Sequence, residues 1–271
     1  MSIQESLPDY QNPPVIEVVC GVLFKPLERM LAPHLGMLWD KFKPDYPRCQ
    51  EVAPLEPVIE HFGERLTSEL RFSEIPPLPR IWFVHANDTG VIQVQRDRFL
   101  HNWRKRLPEE QYPRYHRVIE LFRDRFSRFQ AFAAEADLGA IEPLQYEMTY
   151  INHIVQGEGW TSPADIGRVF PDLVWRSDAS RFLAEPEALN LRTAFLLPSH
   201  AGRLHSTIRQ AVRRPDGKPI LIFELMVRGI GQDQSIEAMR EWFDLAREWI
   251  VKGFTDFTSK DMQQSIWRRL R

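Results

Sequence analysis

Cysteine is scarce: 271 residues contain only Cys20 and Cys49. They form no CxxC pair, so neither a disulfide framework nor a cysteine-built zinc site is indicated, and a reduced cytoplasmic setting is expected. Charge of one sign is missing too. Thirty-five Lys and Arg balance 37 Asp and Glu for a net charge of -2, without the basic excess that duplex DNA binding usually needs. No apolar run approaches the roughly 18 residues of a membrane span, and no charged-then-apolar leader opens the chain, so no membrane association is expected. No P-loop, HExxH, GxSxG or complete GxGxxG pattern occurs. No cofactor or catalytic residue is therefore nominated. The eight histidines are scattered, and His200 and His205 fall on alternate sides of a strand end, so no metal site is expected.

What is present is a well-patterned globular chain with 43% hydrophobic and 27% charged residues. That content can bury a sizeable core. Val15 to Phe24 (VIEVVCGVLF) reads as a strand bounded by prolines, with Glu17 as its one charge. Leu27 to Phe42 follows at helical spacing, with a bend expected at Pro33. Residues 44–57 read as an irregular connection, and Val58 to Phe62 as either a strand or a single helical turn. Leu66 to Phe72, Arg80 to Ala86 and Val91 to Phe99 read as three strands, the last two joined by Asn87-Asp88-Thr89-Gly90. Residues 113–136 carry one apolar helical stripe through Val118, Phe122, Phe126 and Phe129.

The second half repeats this order. Gln145 to Val155 reads as a strand with Glu147 near its start, and Thr161-Ser162-Pro163 opens a short helix. Asn190 to Pro198, Arg203 to Arg214 and Pro219 to Arg228 follow as strands, the last two joined through Asp216-Gly217. Ser235 caps a long final helix, and the tail through Trp267 is expected to dock on the body as a short helix. The expected fold class is α+β, with two pseudo-repeats (1–140 and 141–271) of strand, helix, three strands and long helix. Antiparallel sheet would lie under helices on one face, as two units or as one continuous body.

Strand parity separates the two sheet faces. Phe195, Ile208, Leu225 and Val227 are assigned to the helix side, and His205, Thr207, Arg209, Glu224 and Arg228 to the open side. The turn at Asp216-Gly217 sets Arg209 opposite Glu224, with Ala194 beside it. In the first half Glu17, Glu69, Arg71, Gln93 and Gln95 are the corresponding open-side residues. Three readings of that face stay open. It is a solvated surface stitched by cross-strand pairs, a surface covered by another protein, or a ligand site. In the third reading Arg209, Glu224, His205 and Arg228 meet an anionic or amide-bearing molecule.

A second candidate is the strip RDRFLHNWRKR, where Arg96, Arg98, Arg104, Lys105 and Arg106 interleave with aromatics as nucleic-acid contacts do. Trp103, Trp160, Trp175 and Trp267 lie in expected loops or element ends, where aromatics often serve contact surfaces.

Two resemblances follow from these patterns. The element order resembles the duplicated architecture of the TATA-box-binding-protein-like fold, which implies no function. Pro14 with Glu17 at the start, Phe254-Thr255-Asp256-Phe257-Thr258 and Trp267 near the end resemble a sporadically distributed bacterial family of about this length. The resemblance implies no particular activity, and the family's patchy distribution suits an accessory gene such as a defence or toxin-neutralising partner. The expected function is a non-enzymatic binding protein with a protein partner or a second copy of itself. Small-ligand or nucleotide sensing and nucleic-acid binding are the alternatives.

Overall fold

A computed structural model describes residues 6–62, 78–175, 180–214, 216–231, 233 and 235–271. Nine strands form one antiparallel sheet. In chain order these are β1 (Val15–Phe24), β2 (Arg48–Val52), β3 (Arg80–Val84), β4 (Gly90–Gln95), β5 (Arg98–Arg104), β6 (Pro143–Val155), β7 (Asn190–Leu196), β8 (Gly202–Val212) and β9 (Pro219–Gly229). The spatial order is β2-β3-β4-β5-β1-β6-β9-β8-β7. β1 and β6, the opening strands of the two halves, are neighbours at the centre, and each is flanked outward by the last strand of its own half. The fold is α+β, and the sheet is continuous across the chain's midpoint.

One face of the sheet carries the helices. α1 (Ala32–Phe42) packs on β3, α2 (Arg114–Glu135) on β1 and β5, and α4 (Ile236–Phe257) on β6, β8 and β9, while the short α3 is Ile166–Val169. Val18, Cys20 and Val22 of β1 and Phe223, Leu225 and Val227 of β9 face the helices and are fully buried. Alternate residues bury because side chains alternate across a strand, and each large apolar side chain removed from water contributes about 1.5–3 kcal/mol. Phe99 stacks on Phe129 at 5.1 Å between ring centres, and Phe122 meets Phe243 at 5.1 Å where α2 and α4 touch. Ser235 caps α4, its hydroxyl oxygen accepting from the Ala238 N–H at 3.1 Å.

Several expectations move. The first helix begins at Ala32 with Pro33 in its first turn, where a missing N–H costs nothing, so no bend arises. Leu27 and Met30 are buried in the turn before it. Residues 48–52 form an edge strand instead of an irregular connection. The single strand expected over 91–99 is two strands joined by a tight turn at Arg96-Asp97, with Gln95 paired to Arg98. The tail does dock, as a π-helical turn over Met262–Ile266. The strand expected at 66–72, with Glu69 and Arg71, lies outside the described residues.

The hairpin registers also move while keeping their faces. Thr207, not Arg209, is opposite Glu224, and Arg209 pairs with Ile222 and with Asn190. Ala194 pairs with His205. The β8–β9 turn closes between Arg213 and Lys218, with four residues in the loop where a two-residue tip at Asp216-Gly217 is expected, which slides one strand by two residues and leaves parity intact. At the other end Gly202 and Gly229 face each other so closely that a Cβ on Gly229 would sit 2.0 Å from the Ala201 carbonyl oxygen.

Candidate functional site

The side of the sheet away from the helices is crossed by residues 53–62, which run roughly perpendicular to the strands. Gln95, Arg98, Leu23 and Gln145 occupy one cross-strand row spanning β4, β5, β1 and β6. The two glutamines at the ends of that row hold the crossing segment by its backbone. Gln95 Oε1 accepts from the Leu55 N–H at 2.9 Å while its Nε2 donates to the Leu55 carbonyl at 3.0 Å. Gln145 Oε1 accepts from the Glu60 N–H at 2.8 Å while its Nε2 donates to the Val58 carbonyl at 2.9 Å. A primary amide carries a donor and an acceptor side by side, so it satisfies a peptide's N–H and C=O as another peptide group would. Both glutamines are buried, at 8% and 1% exposure.

Three strand spacings separate Gln95 from Gln145, about 14 Å at 4.8 Å each. Four or five extended residues span that distance, which matches the separation of Leu55 from Glu60. Pro54 and Pro57 favour this extended course, because each restricts itself and the residue before it.

The segment is then fixed by charge. Glu60 accepts from Arg203 Nη1 at 2.6 Å and from His205 Nε2 at 2.5 Å, both on β8. Its side chain is only 7% exposed. Burial works to raise its pKa, but the hydrogen bonds and charges of His205 and Arg203 outweigh burial and hold it below the usual carboxylate range. Arg203 also donates to the His61 carbonyl at 3.0 Å and lies over the Phe62 ring at 4.7 Å. Beside it Arg228 Nε donates to Glu147 Oε1 at 2.8 Å.

Toward the β3 side a second polar chain runs across the same face. Asn102 donates to Glu17 Oε1 at 2.5 Å, Gln93 donates to Asn102 Oδ1 at 2.7 Å, and Arg80 and Trp82 both donate to Gln93 Oε1 at 3.0 Å. Burial raises the pKa of Glu17, opposed by Asn102 and Arg104 and reinforced by the charge of Glu224.

The residues nominated from sequence fall as follows. His205 belongs to the clamp on Glu60. Arg228 is one row away, paired with Glu147, and Glu224 lies between Ile151 and Thr207. Arg209 is exposed and four residues along β8 from His205, about 13 Å away at the rise of a strand. The four are strung along β8 and β9, Arg228 two residues to one side of the His205 level, Glu224 two to the other and Arg209 four, so only His205 takes part in the clamp. Gln145 and Glu60 were not nominated. Gln145 was accessible from parity, two residues before Glu147 on the same strand, whereas Glu60 sits in an irregular stretch with no periodic signal.

The basic strip is engaged internally at most of its members. Arg98 is 3% exposed and binds Asp97 through two hydrogen bonds of 3.0 Å. Arg96 donates to the Met30 carbonyl at 3.0 Å. Arg104 and Arg106 share Asp88 at 2.7 and 3.0 Å, and Lys105 follows the end of β5. Of the four tryptophans singled out, Trp160, Trp267 and Trp103 are buried at 1%, 2% and 7% exposure. All three complete the core, Trp103 from within β5, Trp160 from the turn that follows β6 and Trp267 from the C-terminal tail folded back on the body. Trp175 alone is partly exposed, under the Arg181 guanidinium at 3.7 Å.

Among the described residues no group of three or more His, Cys, Asp or Glu could hold a metal ion, and no helix is long and apolar enough to cross a membrane. What the face can do is bind. It offers paired amides for a peptide backbone and an Arg–His pair for a carboxylate. Comparison with protein-family models, curated proteins and solved structures finds no match to this chain.

Proposed function

We propose that the protein is a non-enzymatic binding module whose open sheet face receives an extended, carboxylate-bearing polypeptide segment, with residues 53–62 as its resident occupant. The observation that carries this reading is the paired-amide grip of Gln95 and Gln145 on the backbone of Leu55, Val58 and Glu60. Backbone recognition is indifferent to most side chains, so specificity falls to Glu60 and its Arg203–His205 receptor. A partner strand with an acidic residue in the same place would make the same bonds. It must displace a segment tethered in cis, whose effective concentration is of millimolar order. The resident segment therefore sets a threshold that only a well-matched or high-affinity partner crosses.

The test is NMR mapping of a synthetic peptide APLEPVIEHF added to the Glu60→Ala protein, in which the resident segment has lost its carboxylate anchor. Shifts of the Gln95 and Gln145 side-chain amides that disappear when Arg203 is also replaced by Ala support the reading. Saturable binding elsewhere, or no shift of those amides, refutes it.

A further inference from the structure

On the opposite side of the sheet, independent of the peptide-binding face, a cavity of about 230 Å³ lies between the starts of β1 and α2, the middle of β6 and the C-terminal half of α4. Its walls are aromatic, with Tyr10, Tyr112, Tyr115, Tyr150 and Phe254 among them.

Most polar groups in these walls are satisfied. The Thr255 hydroxyl donates to the Val251 carbonyl, so Tyr10 donates to Thr255 Oγ1 at 2.8 Å. Tyr115 donates to Asp244 Oδ1 at 2.7 Å. Three buried or half-buried groups are left over. Tyr112 and Tyr150 bond each other through their hydroxyls at 2.7 Å, which uses one of the two protons they carry. Burial first, and for Tyr150 also its bond to Tyr112, raises the pKa of both, so both protons stay on. Asn152 is 1% exposed, and its Nδ2 donates to the Phe223 carbonyl at 3.0 Å. That bond fixes the amide's orientation and leaves Oδ1 buried without a partner. Arg247 lies over the Tyr115 ring at 4.7 Å and makes no ion pair with a described carboxylate.

A spare hydroxyl proton, an unpaired buried acceptor and an unneutralised guanidinium around one aromatic-walled space define a ligand by complement. Leaving the buried Asn152 acceptor unpaired costs about 1–3 kcal/mol, so an occupant that pairs it is favoured. Size narrows the class: an apolar cavity of about 150 Å³ accepts benzene, so the present volume accommodates a ring with roughly four further heavy atoms. We propose that this cavity binds a small aromatic carboxylate bearing a ring hydroxyl or amino group. The carboxylate meets Arg247, the ring lies among the tyrosines, and the polar substituent accepts from the tyrosine pair and donates to Asn152.

The test uses hydroxybenzoate isomers, with benzoate and phenol as controls, titrated calorimetrically into the full chain. At least one hydroxybenzoate is expected to bind saturably and to raise Tm. Arg247→Gln is expected to weaken it about tenfold or more, the loss of one charge-assisted bond. The double replacement Tyr112→Phe with Tyr150→Phe, which keeps both rings and removes both hydroxyls so that no spare proton remains, is expected to erase the preference for hydroxybenzoate over benzoate while leaving benzoate binding unchanged. Absence of saturable binding by every isomer in the millimolar range overturns the proposal, as does binding that Arg247→Gln leaves unaltered in a variant with native circular dichroism. In the first case the leftover groups are paired by water only.

Discussion

Replacing Glu60 by Ala removes the carboxylate that anchors the segment crossing the sheet and leaves Arg203 only its bond to the His61 carbonyl and its place over Phe62. Glu60 accepts two hydrogen bonds from cationic or potentially cationic donors, at 2.6 and 2.5 Å. Hydrogen bonds to charged groups contribute about 1.5–3 kcal/mol each when shielded. The partners Arg203 and His205 are 26% and 33% exposed, so water screens and replaces part of that, and about 2 kcal/mol in total is the reasonable figure. The loss falls on local opening of residues 53–62, not on global unfolding, because the segment lies outside the helix-covered core. At about 1.4 kcal/mol per tenfold, 2 kcal/mol speeds exchange of the Glu60 amide hydrogen roughly 30-fold. The amide of Leu55, held by Gln95, should accelerate less, and those of β1 and β6 not at all. Hydrogen exchange read by NMR measures each site separately. An unchanged Glu60 exchange rate in the variant would refute the argument, because the Gln145 grip would then stand without the ion pair. The wild type should show the same loosening in acid. A carboxylate held below its unfolded pKa stabilises fully above the unfolded value, and that contribution fades as pH falls through the folded value.

Three further outcomes follow from other parts of the molecule. His101 is wholly buried, its Nε2 3.4 Å from the Tyr46 hydroxyl, and burial, aided by Arg125 and His85, lowers its pKa to about 3. It stabilises fully above its unfolded pKa and loses that contribution as pH falls toward 3, so urea unfolding should show about 3 kcal/mol less stability from this site at pH 4 than at pH 7. His101→Phe should flatten this dependence, and an equally steep acid limb in the variant would count against it. Gly229→Ala forces a Cβ into backbone and should cost about 1–3 kcal/mol, whereas Gly36→Ala, with nothing within 4 Å, should gain about 0.5–1 kcal/mol by helix propensity. Thermal melts that rank these two the other way would contradict the packing described. Trp267, 4.9 Å from Phe254 and edge-on to Tyr10, ties the tail to the core, and Trp267→Ala should cost about 3–5 kcal/mol in denaturant titration. A loss below 1 kcal/mol would mean that the tail is an independent appendage.

Much of the scaffold was legible in the sequence because burial on one face imposes a period. Val15–Phe24, the two long helices and the cap at Ser235 are marked by alternation, by helical stripes and by a side-chain oxygen before an apolar run. Parity also assigned Glu17, Gln93, Gln95, His205, Glu224 and Arg228 to the open face. Register was less legible, since it depends on how many residues a turn consumes and a slip of two leaves every face unchanged. The Arg96-Asp97 turn escaped because neither residue has the left-handed backbone that glycine or asparagine would signal. β2 escaped because its residues Arg48 to Glu51 are exposed at a sheet edge and carry no apolar alternation. The crossing segment left little local trace beyond Pro54 and Pro57. Its partners lie 40 to 145 residues away in sequence, and what holds it is backbone hydrogen bonding and a single carboxylate, neither of which has a periodic pattern.

The central claim is that the open face holds an extended chain through its backbone and one carboxylate. It is tested most directly by replacing residues 53–62 with a Gly-Ser linker of equal length and titrating the free peptide APLEPVIEHF against that protein. Saturable one-to-one binding is expected, weakened about tenfold or more when the peptide's Glu is replaced by Ala. Binding that ignores that substitution, or no binding to a linker variant that retains its native circular dichroism, would contradict the account.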